Sequence, residues 1–290
     1  MRPPFLPLFL LPLLLSAAEQ PSVLERMARP QVTLESTWLS EAKVNGYKSS
    51  VRTSKQQLQV SNGFAGIDFS RWYFDWNDAD ALPFYRGKTP IKHMQRINLH
   101  GKYFHKFDPQ WAMLLMASVN ATYEEELDGD AVGAGLFGFF SYRIDSDHAL
   151  QAGAFVNYHP VTTLVLPVLG YSYRARANDG FTAVLGFPRT YVGYHAVPGW
   201  LLRAGFIYSQ TVIRLADDSG IEPAGYVESI DYQASAGLRV AFAQRWEFSA
   251  DLLYAFRRDF KTFDHAARQI DAYTIDPSFG AMFRLNYAFQ

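Results

Sequence analysis

Ala281-Met282-Phe283-Arg284-Leu285-Asn286-Tyr287-Ala288-Phe289, close to the end of the 290-residue chain, is the stretch that decides the fold class. Phe283, Leu285, Tyr287 and Phe289 fall on every second position, with Arg284, Asn286 and Ala288 between them. Successive side chains of a strand point to opposite faces, so one face is apolar and aromatic while the other is small or polar. The same split runs through Trp246-Phe248-Ala250-Leu252-Tyr254-Phe256 against Glu247-Ser249-Asp251-Leu253-Ala255-Arg257. It returns upstream in Leu238-Val240-Phe242, in Trp200-Leu202-Ala204-Phe206-Tyr208 and in Ile97-Leu99-Tyr103.

Length separates the possible β architectures. These segments run about 10–15 residues, where globular strands favour roughly 5–6 and a tilted membrane-crossing strand needs about 9–11. A soluble sandwich or lipocalin-like barrel also alternates, but it turns its apolar face inward. Here the second face carries Arg203, Arg239, Arg284, Asp251 and Glu247, which suits a wet lumen behind a lipid-facing wall. The expected fold is therefore all-β, an antiparallel up-and-down transmembrane β-barrel of about 12–14 strands. Fourteen strands are expected near 31–42, 57–69, 72–78, 92–106, 110–122, 131–144, 148–158, 163–176, 181–187, 189–196, 200–214, 228–242, 246–258 and 273–289. The pair 181–187/189–196 is short for a spanning hairpin, and the pair before residue 70 is the least periodic.

Connections alternate between short turns and longer loops near 77–91, 123–130, 215–227 and 259–272, which collect Asp, Glu, Gly and Pro. That asymmetry is typical of outer-membrane barrels. An apolar or aromatic residue, a brief turn and then Trp recurs before Trp72, Trp111, Trp200 and Trp246. These four are expected to form an interfacial girdle on the short-turn side, where an indole keeps its N–H in water.

The first residues read as an address. Met1-Arg2, the apolar run Phe5 to Leu15 and Ser16-Ala17-Ala18 follow the order of a secretory signal peptide, residues 1–18. Residues 19–30 then read as a periplasmic lead and 31–290 as the barrel. No later run reaches the 18 apolar residues that mark a membrane helix. Charged residues are 19% of the chain, against about 25% in soluble domains. A net charge of −1 provides no basic field for nucleic acid. The absence of cysteine removes thiolate metal sites, iron–sulfur clusters and cysteine nucleophiles.

Pro167-Val168-Leu169-Gly170-Tyr171-Ser172-Tyr173, then Asn178-Asp179-Gly180 and Leu185-Gly186-Phe187-Pro188, together with Leu253-Tyr254-Ala255-Phe256-Arg257-Arg258-Asp259-Phe260, resemble an uncharacterised family of bacterial outer-membrane β-barrel proteins, a domain of unknown function. The resemblance covers most of residues 31–289. It implies a barrel in a Gram-negative outer membrane and no particular activity. The last strand also resembles the assembly signal of such barrels, which implies the barrel-assembly machinery as a partner during insertion. Outer-membrane lipid and lipopolysaccharide are the other expected partners.

With the apolar faces turned to lipid, the lumen face includes Asn98, His100, Lys102, Arg143, Arg174, Arg203, Arg239, Glu247, Asp251, Arg257 and Arg284. Basic groups outnumber acidic ones in that set, and a ring of them favours anions. The alternative is a network of arginines and carboxylates that satisfy one another across the lumen. No Gly-x-Ser-x-Gly or His-Glu-x-x-His motif is present, and none of the seven histidines has a partner fixed by spacing, so no catalytic residue is expected. The acidic run Glu124 to Asp130 lacks the spacing of a calcium loop, so neither a metal nor another cofactor is expected. Asp80 to Gly87 places apolar groups in an outward loop, which either folds into the mouth as a lid or packs on its own rim. The functional expectation is a pore or transport channel for small solutes. A closed structural or interaction barrel is the alternative, and a lipid-modifying enzyme a third.

Overall fold

The computed structural model describes residues 29–289 except 83, 86, 89, 175–179, 188 and 244. The signal peptide and nearly all of the lead therefore lie outside the described residues. The chain is an antiparallel meander: β1 (Gln31–Lys43), β2 (Ser50–Ser61), β3 (Ala65–Asn77), β4 (His93–Lys106), β5 (Trp111–Tyr123), β6 (Val132–Arg143), β7 (His148–Tyr158) and β8 (Thr163–Arg174), followed by β9 (Gly180–Gly186), β10 (Arg189–Val197), β11 (Trp200–Arg214), β12 (Tyr226–Phe242), β13 (Trp246–Phe263), β14 (Gln269–Ile275) and β15 (Ser278–Ala288). Strand β15 pairs with the lower part of β13 and β14 with its upper part, so the two occupy a single stave. Pairing of β1 with β15, from Gln31↔Ala288 to Leu39↔Gly280, closes a ring of fourteen staves. With strands about 4.8 Å apart and tilted by about 40°, such a ring has a backbone radius of about 14 Å.

The two-residue period sorts the side chains. Leu34, Leu99, Val119, Leu136, Leu169, Leu202 and Leu252 stand exposed on the outside. Glu35, Gln57, Asp68, Asn98, Ser118, Asn120, Arg203, Asp251 and Arg284 take the opposite parity in the same registers. Pairing of the first and last strands is how such a wall satisfies its backbone in hydrocarbon, where only barrels and helices can cross.

Three expectations are corrected. The β2–β3 hairpin turns at residues 62–64, not near 70. Asn62-Gly63 is a strong hairpin dipeptide, and Asn62 Oδ1 accepts from the backbone N–H of Phe64 (3.1 Å) and Ala65 (2.8 Å). Trp72 consequently sits within β3 on the inward parity and packs on the inner apolar cluster, with Lys55 Nζ 5.0 Å from its ring centre. It is no part of a girdle, whereas Trp111, Trp200 and Trp246 each open a strand at the short-turn end and are exposed. Finally, a bulge between Tyr232 and Gln233 skips one residue of β13. A one-residue slip moves every following side chain to the other face. Above the bulge, Arg257 is 63% exposed on the outside beside Tyr232, while Arg258 enters the interior.

Candidate transport lumen and its outer seal

One wall of the lumen is polar and crossed by ion pairs. Arg203 and Asp251 lie two strands apart, with Gly237 between them in both registers. Arg203 donates to Asp251 through Nε (2.9 Å) and Nη2 (2.6 Å). A Cβ on Gly237 would collide with the Ala250 carbonyl and with Asp251 Oδ1, so glycine is what leaves room for the pair. Arg239 faces Glu247 at 3.7 Å, and Arg284 donates from Nε to Glu35 at 2.9 Å, with Lys55 3.8 Å from the same carboxylate. Arg258 reaches Asp231 (3.2 Å) and Thr53 (3.2 Å). Arg203, Arg239 and Arg284, three of the basic lumen residues expected from parity, thus each have a carboxylate partner. On this wall the arginines of β11, β12, β13 and β15 are paired with carboxylates, while Arg96 Nε is buried without a hydrogen-bond partner. Lys102, Arg143 and Arg174 continue the inward parity, with Arg143 and Arg174 ending β6 and β8 at the short-turn end.

The facing wall is apolar. Leu114, Met116, Phe137, Phe139, Phe155 and Leu166, from β5 to β8, take the inward parity and are half-buried. Phe137 meets Phe139 at 5.5 Å and Phe155 at 6.5 Å between ring centres. Periodicity does not reveal this wall, because β5–β8 carry apolar residues on both faces. The signal that could have found it is the scarcity of charge between Trp111 and Tyr142, outside the loop that interrupts it.

The outer mouth is filled. Leu82 and Phe84 of the loop 78–92 are 4% and 8% exposed. They share one cluster with Val44, Ile91, Met94, Ile213, Leu215, Ile221, Val227 and Phe260. Met94 on β4 and Ile213 on β11 stand seven staves apart in a ring of fourteen, so the cluster spans the mouth from wall to wall. Phe84 packs at 5.9 Å from Phe260 and 5.1 Å from Tyr273. The loop folds inward as a lid; it does not rest on its own rim.

The acidic loop helps to hold this seal. The top of β11 crosses the mouth and meets β5, where Arg214 pairs with Tyr123 and the Glu124 N–H donates to the Arg214 carbonyl (3.0 Å). Glu124 Oε2 accepts from the Ala216 N–H (3.0 Å), and Asp128 pairs with Arg214 (3.2 Å) while also capping a helical turn at Ala131. The carboxylates are used as latches, and among the described residues no group of three potential ligands gathers to hold a metal. Nearby, Lys88 pairs with Asp218 at 2.7 Å, which lowers the Asp218 pKa. His159, in the turn 159–162, packs edge-on against Tyr226. Burial alone lowers its pKa to about 4.

A second polar cluster escaped the spacing arguments, because its members come together across strands and not along one. His100 Nδ1 lies 3.3 Å from Asp68 Oδ2, which also accepts from Asn98 Nδ2 (2.7 Å). Gly66 stands between Ser61 and His100 in the register. A Cβ there would lie 2.6 Å from His100 Nε2 and 2.9 Å from Ser61 Cβ, so the two side chains border the same gap.

No known family model matches the chain, and no curated protein matches it in sequence. Among solved structures, the KdgM porin overlaps 89% of this chain and 99% of its own at 7% identity and a TM-score of 0.38. The NanC porin overlaps 89% and 99% at 9% identity and 0.39. The deltaS2S3 mutant of the TodX monoaromatic hydrocarbon channel overlaps 90% and 91% at 9% identity and 0.43. These overlaps are too loose to say anything of what this barrel carries.

Proposed function

We propose that this chain is a bacterial outer-membrane transport barrel that carries small amphipathic solutes. The observation behind this reading is the two-faced lumen: an ion-paired polar wall opposite an aliphatic and aromatic one, beneath a sealed outer mouth. A solute with a polar end and an apolar body satisfies both walls, whereas a bare ion gains nothing on the apolar side and meets arginines on β11, β12 and β15 that already hold carboxylates. Outer-membrane lipid and lipopolysaccharide are the surroundings that the exposed outer belt fits.

The refolded mature barrel in liposomes should exchange a fluorescent single-chain amphiphile at least ten-fold faster than protein-free liposomes. Phe137→Asp should remove most of that gain. A folded barrel that moves no solute would contradict the transport reading and favour the closed structural one.

The His100–Asp68 pair carries a second reading, hydrolysis, in which Ser61 Oγ and His100 Nε2, both buried and without a hydrogen-bond partner on either side of Gly66, would close on one another as nucleophile and base. A serine-directed fluorophosphonate should then label the wild-type chain and spare Ser61→Ala. The absence of labelling on a folded barrel would remove this reading.

A further inference from the structure

Strands β9 and β10 are the low part of the wall. Their seven and nine residues rise about 18 Å and 23 Å along the barrel axis at roughly 3.3 Å per residue and 40° tilt. Both heights fall short of the apolar band, about 25 Å in barrels of this kind. The hairpin therefore ends below the outer surface of the membrane.

Nothing in the sheet fills the space above it. Pairing of β8 with β9 stops at Gly170↔Gly186, with one further bond from the Phe187 N–H to the Leu169 carbonyl (3.4 Å), so Thr163–Val168 have no partner strand on that side among the described residues. Pairing of β10 with β11 stops at Arg189↔Ile207, so Tyr208–Ile213 have none either. The opening is bounded below by Phe187 and Tyr208, whose rings are 5.5 Å apart. Above, Val161 packs against the cluster of Val212, Tyr226 and Phe263. The β8 edge along this opening is about 20 Å long at roughly 3.3 Å per residue.

Two free strand edges at membrane depth are costly, because each unsatisfied backbone group in hydrocarbon costs several kcal/mol. Such edges are tolerated where they line a wet cavity or meet a polar partner. Behind them, Leu164, Leu166 and Val168 lead from the opening onto the apolar wall of the lumen. Polar backbone at the frame, apolar side chains behind it and a lumen sealed from above define the chemistry that fits.

We propose that the opening between β8 and β11 is a side port through which a single-chain amphiphile passes between the outer leaflet and the lumen. The inference rests on the transport reading and adds the route. The amphiphile's head meets the bare strand edges, and its apolar body follows Leu166 towards Phe155 and Phe137.

The chain has no cysteine, so an introduced pair is unique. Leu166→Cys with Ser209→Cys places one thiol on each edge, and a bifunctional maleimide bridges them. Exchange of nitrobenzoxadiazole-labelled lysophosphatidylcholine out of proteoliposomes into albumin should fall at least ten-fold on bridging, with no effect of the reagent on the wild type. Undiminished exchange after bridging would overturn the port and leave transport standing. An inactive wild type would overturn both. A second measurement does not depend on the double variant. A bimane on Leu166→Cys alone should be quenched at least two-fold by lipids brominated on their chains, and a bimane on Leu114→Cys, on the same wall but away from the port, should not. Equal quenching at the two sites, or none at residue 166, would overturn the port.

Discussion

Arg203 and Asp251 show what the interior asks of single residues. The Asp251 side chain is 1% exposed and that of Arg203 12%. A buried charge stripped of its partner costs about 3–5 kcal/mol, whereas replacing both partners with apolar groups is often neutral. Arg203→Gln should therefore destabilise the refolded barrel by roughly 3 kcal/mol in denaturant titrations, and Arg203→Met with Asp251→Leu should recover most of the loss. His159 gives a pH dependence of definite sign. Its ordinary pKa of 6.5 is lowered to about 4 in the folded turn. Between these values the undocked turn binds a proton that the docked turn does not, so docking is full above pH 6.5 and weakens as pH falls towards 4. The protection factors of the amides of residues 161 and 162, exchange measured against its intrinsic rate at each pH, should fall over that window, and His159→Phe should abolish the dependence.

The same scale shows why part of the site was legible and part was not. Arg203, Arg239, Glu247, Asp251 and Arg284 sit in strands of strict alternation, so their face follows from parity. Their pairing does not, because it depends on which strands are neighbours and on a glycine between two of them. Arg257 was misassigned by one skipped residue at a bulge, a feature that the alternation of β13 conceals. Asp68 and His100 meet across two strands, with Ser61 on a third, where spacing along the chain says nothing.

At the scale of elements, the wall was legible wherever apolar and polar residues strictly alternate, as in β4, β11, β13 and β15. The β2–β3 hairpin is misplaced in the sequence reading because β2 is polar on most positions, and there only the Asn62-Gly63 turn marks the register. The 78–92 loop was the open question, since its apolar residues serve a lid or a rim equally well. The structure resolves it through Leu82 and Phe84, which pack on residues from the opposite wall. Truncating a buried phenylalanine costs about 3–5 kcal/mol when the cavity cannot collapse. Phe84→Ala should release the loop with a loss of that order. Proteolysis between residues 78 and 92 should become at least ten-fold faster while the strands stay intact. An unchanged cleavage rate would mean that the loop is not held by this contact.

For the whole molecule, the account joins a fourteen-stave wall, a lumen with one polar and one apolar side, and an outer mouth filled from wall to wall. Size alone left the lumen open or closed, since eight strands are filled by their own side chains and sixteen leave a channel. What decides is where the side chains go: the ion pairs stay on the wall, and the apolar seal lies at the mouth. Conductance of the refolded mature barrel in a planar bilayer, beside a variant lacking residues 79–88, tests this most directly. The account predicts little steady current from the intact chain and discrete steps, at least ten-fold larger, once the loop is removed. Large steps from the intact chain, unchanged by the deletion, would contradict the seal, and silence from both folded forms would contradict a hollow lumen.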